Sequence, residues 1–131
     1  TLSWLRRQEA VHVVCDEPQA GSGSVPFVVE STHAQLGIFR LHGRNRETWY
    51  KPGLASSQER FDYLYSREEL VSLAPFVREL AEICADVHVL LNNNHDNYAV
   101  RNAHMMERIL GLRDEDDELD VLTESGSFDG W

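Results

Sequence analysis

VHVLLNNNH, Val87 to His95, is the stretch that decides the fold. Val87, Val89, Leu90 and Leu91 run almost without a break, His88 being the one interruption, and they lack the period-two alternation of a strand with one wet face. Such a run predicts a strand covered on both faces, as in the parallel sheets of α/β proteins. Outward from it, Val11 to Cys15 and Ile38 to Leu41 are two further short apolar runs of the same kind.

Helical spacing lies between and beyond these runs. Leu70, Leu73, Ala74, Val77, Leu80 and Ala81 step by three and four, which predicts a helix with one buried stripe. Ser66 and Glu69 form a capping box at its start, each side chain placed to satisfy an amide the other end leaves open. Pro75 removes a backbone donor, so the helix is expected to kink there or to restart. A last helix is expected from about Tyr98 to Leu110, stopped by Gly111, with Met105 and Met106 as core filling. Leu2 to Ala10 has the look of a helix end, and Arg60 to Tyr65 that of a further strand-like stretch. Strands alternating with helices imply right-handed parallel crossovers and an α/β fold.

The length of 131 residues fits one domain. With 42% apolar and 26% charged residues the composition is globular, and no apolar run is long enough to span a membrane. The chain opens on Thr1 rather than Met, and three strands are few for a doubly covered sheet, so a fragment of a longer chain is expected. Of the net charge of −10, most sits in residues 113–131, where eight carboxylates accompany one base, Arg113. That segment lacks periodicity and is expected to be an acidic mobile tail on a body of residues 1–112. The body is close to neutral, so local clusters rather than a global field must select partners, and the acidic tail would oppose nucleic acid. Cys15 and Cys84 lie in apolar contexts without metal spacing, which points to buried thiols in a reducing, cytoplasmic compartment.

Ligands of parallel α/β folds meet the loops after the carboxyl ends of the strands. Asp16, Glu17 and Pro18 follow the first run; His42, Gly43, Arg44, Asn45 and Arg46 the second; Asn92, Asn93, Asn94 and His95 the third. All three sets are expected at one end of the sheet. Each also has a plain structural reading: Asp16 starting a turn, Arg44 and Arg46 solvated, the asparagines satisfying a turn's own backbone. Against that, two guanidiniums beside Asn45, Trp49 and Tyr50 suit planar or anionic groups, and the segment Arg44 to Arg60 is too long for an ordinary connection. Asp16 and His42 at adjacent strand ends are too few for a metal, and the remaining histidines are scattered, so no metal and no cofactor is predicted, a divalent metal being the less favoured alternative. There is no GxGxxG or GxxxxGK[ST] loop and no GxSxG elbow; Gly21 and Gly23 lack the flanking strand and helix.

RLHGRNRETWY (Arg40 to Tyr50), RFDYLYSREEL (Arg60 to Leu70) and VHVLLNNNHDNYAVRNA (Val87 to Ala103) together resemble the DUF72, or YecE-like, family, from roughly Val11 to Leu112. The resemblance implies a closed (β/α)8 TIM-type barrel of about twice this length, of which the chain would be the C-terminal part with the last three strands. It implies no particular reaction. The family's motif residues fall on His42, Gly43, Arg44 and Asn45, on Trp49 and Tyr50, on Tyr63 and Tyr65, and on Asn92, Asn93, Tyr98 and Asn102. Many members carry an aromatic residue where Leu91 stands, and the acidic tail has no counterpart.

The expected function is an enzyme, a hydrolase or isomerase, acting on a small polar or anionic ligand of sugar- or phosphate-like character. His42 would be acid or base, Asp16 its orienting or second acid–base group, and Arg44 the anion clamp. Asn92 and Asn93 would hold hydroxyls or amides, with Asn45, Trp49, Tyr50, Tyr63, Tyr65 and Asn102 completing the ligand contacts. A non-catalytic binding module is the alternative. A nucleic-acid-processing barrel, using Arg44, Arg46, Trp49 and Tyr50 for charge and stacking, ranks third.

Overall fold

The computed structural model describes residues 1–114. Three parallel strands, β1 (Val13–Asp16), β2 (Leu36–Leu41) and β3 (Asp86–Leu91), form one sheet in the order β1-β2-β3. A short helix α1 (Leu2–Arg7) precedes them, α2 (Arg46–Trp49) and a 3-10 turn (Ser57–Phe61) follow β2, and α3 (Arg67–Ile83) and α4 (Tyr98–Leu110) flank β3. The chain is an α/β fold with a parallel sheet. The acidic tail expected over 113–131 falls, beyond Asp114, outside the described residues.

Register fixes which side chains share a face. Val14 lies beside Phe39 and Phe39 beside Val89; one step on, Asp16 lies beside Leu41 and Leu41 beside Leu91. This face carries the core, where Val14, Phe39 and Leu41 are fully buried against Leu70, Leu73, Ala74, Val77 and Leu80 of α3 and Met106 of α4. Burying each large side chain contributes roughly 2 kcal/mol. The other face carries Cys15, Arg40 and Leu90 in one row and Ile38 and His88 in another.

On that second face the expectation from Val87 to Leu91 is not met among the described residues. Asp86, His88 and Leu90 are exposed, Leu90 at 46%, because α3 and α4 cover only the side that holds Val87, Val89 and Leu91.

The capping box forms as expected: Ser66 Oγ accepts from the Glu69 amide at 3.2 Å and Glu69 Oε2 from the Ser66 amide at 2.9 Å. Pro75, however, lies inside a helix that runs on from Arg67 to Ile83 rather than restarting. It stands on the exposed side, where the carbonyl it leaves without a donor can meet water, while the buried stripe before and after it holds the two halves in line. Gly111 ends α4 in the left-handed conformation, φ 77°.

Arg60 to Tyr65 is not a strand. Arg60 and Phe61 lie in the 3-10 turn, and beyond Asp62 asparagine side chains bond the backbone where a neighbouring strand would. Asn102 Oδ1 accepts from the Tyr65 amide at 3.0 Å, its Nδ2 donates to the Tyr65 carbonyl at 2.9 Å, and Asn93 Nδ2 donates to the Tyr63 carbonyl at 2.9 Å.

Candidate functional site

The parallel ladder continues past the strand ends. The His42 amide donates to the Asp16 carbonyl at 2.9 Å and the Asn92 amide to the Leu41 carbonyl at 2.7 Å. The polar residues after each strand are therefore gathered at one end of the sheet, and side-chain alternation then sorts them onto two sides.

On the open side, Arg40 Nη2 donates to Asn92 Oδ1 at 3.2 Å, and Asn92 Nδ2 lies 3.3 Å from His42 Nδ1. Arg40 has donors only, so it takes the amide oxygen and leaves the amide nitrogen to face the histidine. His42 Nδ1 is then the acceptor, and its neutral ring carries the proton on Nε2. Burial, reinforced by the Arg40 charge and opposed by Glu17 and Asp16, holds the His42 pKa below the ordinary histidine value, which favours this neutral form. Trp49 and Phe61 pack around the ring with centroids 6.0 and 5.8 Å from it, and 5.9 Å from each other. Among the described residues no carboxylate pairs with Arg40.

On the helix side, Asp16 is 6% exposed and fully engaged. Arg44 Nη2 donates to its Oδ1 at 2.7 Å and Arg44 Nε to its Oδ2 at 2.9 Å, and the Tyr65 hydroxyl donates to Oδ2 at 2.7 Å. Arg44 also reaches Glu69 Oε1 at 3.3 Å, to which the Tyr63 hydroxyl donates at 2.6 Å. Burial and the Asp16 charge push the Tyr65 pKa far up, and the Asp16 hydrogen bond raises that of Arg44, so both stay protonated.

The sequence-predicted residues thus divide. His42, Asn92 and Trp49 come together on the open side. Asp16, Arg44, Tyr63, Tyr65, Asn93 and Asn102 form a connected network behind it, with Tyr65, Asn93 and Asn102 buried. Asn45 caps α2, accepting from the Glu47 and Thr48 amides and donating to the Asp62 carbonyl at 3.0 Å. Tyr50 is half-exposed, its hydroxyl 3.1 Å from Ser24 Oγ. Arg40 and Phe61 were missed by sequence reasoning. For Arg40 the signal was there, a charge inside an apolar run one step before His42 on the same face.

A cavity of about 500 Å³ opens on the helix side, lined by Asp16, Arg44, Arg46, Phe27 and Phe76 among others. Arg44, one of the charges lining it, is already committed to two carboxylates, whereas Arg40 on the open side is not. The open side has the freer chemistry, with only Trp49 and Phe61 among the described aromatic residues packed against His42 there. Among the described residues no group of three or more histidine, cysteine or acidic side chains is disposed to hold a metal, and no helix is long and apolar enough to cross a membrane. Cys15 and Cys84 are free thiols, and burial pushes the Cys15 pKa up, away from thiolate chemistry.

A parallel sheet backed by helices, with its polar residues gathered at the carboxyl ends of the strands, defines the class: an α/β protein with a parallel sheet. The family model described as "Protein of unknown function DUF72" matches residues 1–124, and the chain belongs to that family. It is 40% identical over 114 residues to the UPF0759 protein YunF of Bacillus subtilis, a match covering 86% of this chain and 40% of that protein. The fold is similar to a DUF72 crystal structure from Enterococcus faecalis, with TM-score 0.79 and 31% identity over 87% of this chain and 42% of the other. A Thermotoga maritima DUF72 structure gives TM-score 0.76 and 37% identity over 85% of this chain and 40% of the other. The chain therefore spans less than half the length of these relatives.

Proposed function

We propose that the open face of this sheet is the inner wall of a closed (β/α)8 barrel, of which this chain forms the C-terminal portion. A small anionic ligand, sugar- or phosphate-like, would bind there at the carboxyl ends of the strands. Two facts support the barrel: apolar Leu90 and Ile38 stand on a face that the described helices leave uncovered, and the relatives are more than twice as long.

The observation that carries the site is the Arg40–Asn92–His42 chain. An unneutralised guanidinium and a neutral imidazole with its proton on Nε2 are both donors, and both suit the oxygens of a phosphate, carboxylate or polarised carbonyl. In this reading Arg40 rather than Arg44 clamps the anion. His42 donates a hydrogen bond from Nε2 to a ligand oxygen and polarises it, Asn92 fixes its tautomer, and Trp49 and Phe61 pack against the ring. Isomerisation or hydrolysis at that oxygen-bearing centre follows most directly.

Titration of the isotopically labelled protein with inorganic phosphate, followed by NMR, tests the reading. The Arg40 and His42 side-chain signals should move together, Arg40→Met should abolish the response, and Arg46→Met, in the helix-side cavity, should leave it. A response centred on Arg44 and Arg46 would transfer the site to the helix-side cavity.

A further inference from the structure

We infer that the Tyr65 hydroxyl is a positioning group for His42, acting through the Gly43 backbone and Asp16. This rests on the reading of His42 as the working group.

Three successive residues are tied to one hub. The His42 amide is held by the Asp16 carbonyl at 2.9 Å. The Gly43 amide donates to the Tyr65 hydroxyl at 2.8 Å, and that hydroxyl donates onward to Asp16 Oδ2 at 2.7 Å. The Arg44 guanidinium closes on the same carboxylate at 2.7 Å. The chain turns sharply at Gly43, φ 89°, where an added Cβ would stand 2.8 Å from Tyr63 Cβ. Tyr65 is 1% exposed, and its hydroxyl donates and accepts wholly within this network, which leaves it no part in holding ligand. A phenylalanine would fill the same space yet leave the Gly43 amide without its acceptor. The turn that fixes where the His42 ring stands among Asn92, Trp49 and Phe61 would then relax, while the ring's own contacts stayed chemically intact.

The test compares Tyr65→Phe with Tyr63→Phe by NMR titration of the His42 ring. Tyr63 loses a hydroxyl bond of similar strength, to Glu69, but its hydroxyl does not hold Gly43. Tyr65→Phe should admit water to the ring and raise the His42 pKa by roughly half a unit or more, and Tyr63→Phe should leave it in place. No shift in Tyr65→Phe, or equal shifts in both, overturns the inference. If Tyr65→Phe does not fold, hydrogen exchange of the unaltered protein decides. The Gly43 amide should be protected on the order of 100-fold relative to the exposed Gly53 amide, and an unprotected Gly43 overturns the inference. Phosphate that leaves His42 unmoved, alongside an intact Tyr65→Phe shift, would remove the ligand site and spare the positioning role.

Discussion

Arg44 grips Asp16 with two prongs, Nη2 on Oδ1 at 2.7 Å and Nε on Oδ2 at 2.9 Å, behind the sheet from Arg40. The aspartate side chain is 8% exposed and that of the arginine 33%, so the pair is sheltered on one member only. Removing the arginine strands a buried carboxylate, whereas removing both charges strands neither. Arg44→Met should therefore cost about 2 to 4 kcal/mol, somewhat less than a fully buried pair because solvent reaches the guanidinium. The double variant Asp16→Asn, Arg44→Met should recover part of that loss. Urea unfolding of the two variants measures it; an Arg44→Met protein as stable as the parent would show that water already does the work of the pair.

Arg40 lies within electrostatic reach of His42 and lowers its pKa, second only to burial. Arg40→Met removes that contribution and leaves burial, so the His42 pKa should rise part of the way toward 6.5 without reaching it. NMR titration of the imidazole checks the sign: a fall would mean that the Arg40 charge is not what lowers the His42 pKa.

What could be read in the sequence follows from how local each signal is. The Ser66–Glu69 box, the buried stripe of α3 and the Gly111 stop depend on residues within a turn of one another, and they stand where the pattern put them, save that the stripe ends at Leu80 and Ala81 is exposed. The arrival of Asp16, His42 and Asn92 at one sheet end follows from three parallel strands. Which side of the sheet each residue takes depends on a register set by strands distant in the chain, and that separated His42 and Asn92 from Arg44 and Asn93. The run at Tyr63 and Tyr65 is not a strand; its backbone is paired to the side chains of Asn93 and Asn102, a partnership that no periodicity reveals.

Gly43 and Gly111 offer a controlled comparison. Both have positive φ, 89° and 77°, but an added Cβ at Gly43 would meet Tyr63 Cβ at 2.8 Å, while at Gly111 it meets nothing within 4 Å. Alanine at position 111 should cost the left-handed penalty alone, about 1 kcal/mol. At position 43 a steric clash is added, and the loss should exceed roughly 2 kcal/mol. Thermal unfolding of the two variants measures the difference, and equal losses would mean that Tyr63 gives way.

Tyr63 and Glu69 share one short hydrogen bond, 2.6 Å, and should shape stability at both ends of the pH range. Burial alone would raise the Glu69 pKa, but the Tyr63 hydroxyl, the Ser66 amide and the Arg44 charge outweigh it and hold the group below its ordinary 4.5. The unfolded chain then binds that proton more readily than the folded one, so the stabilisation is complete above 4.5 and is lost as pH falls through the lowered value. Tyr63 behaves in the opposite sense. Burial, and then the Glu69 bond and charge, push its pKa from 10.0 up to about 12, so the folded state keeps a proton the unfolded chain releases. That contribution is complete below 10.0 and disappears as pH rises toward about 12. Tyr63→Phe removes the phenol itself and one of the groups that lowers Glu69, so both limbs of its pH–stability curve should be shallower than the parent's. Urea midpoints from pH 3 to 5 and from pH 9.5 to 11.5 test this, and a variant whose curve parallels the parent's in both ranges would show that solvent screens the pair completely.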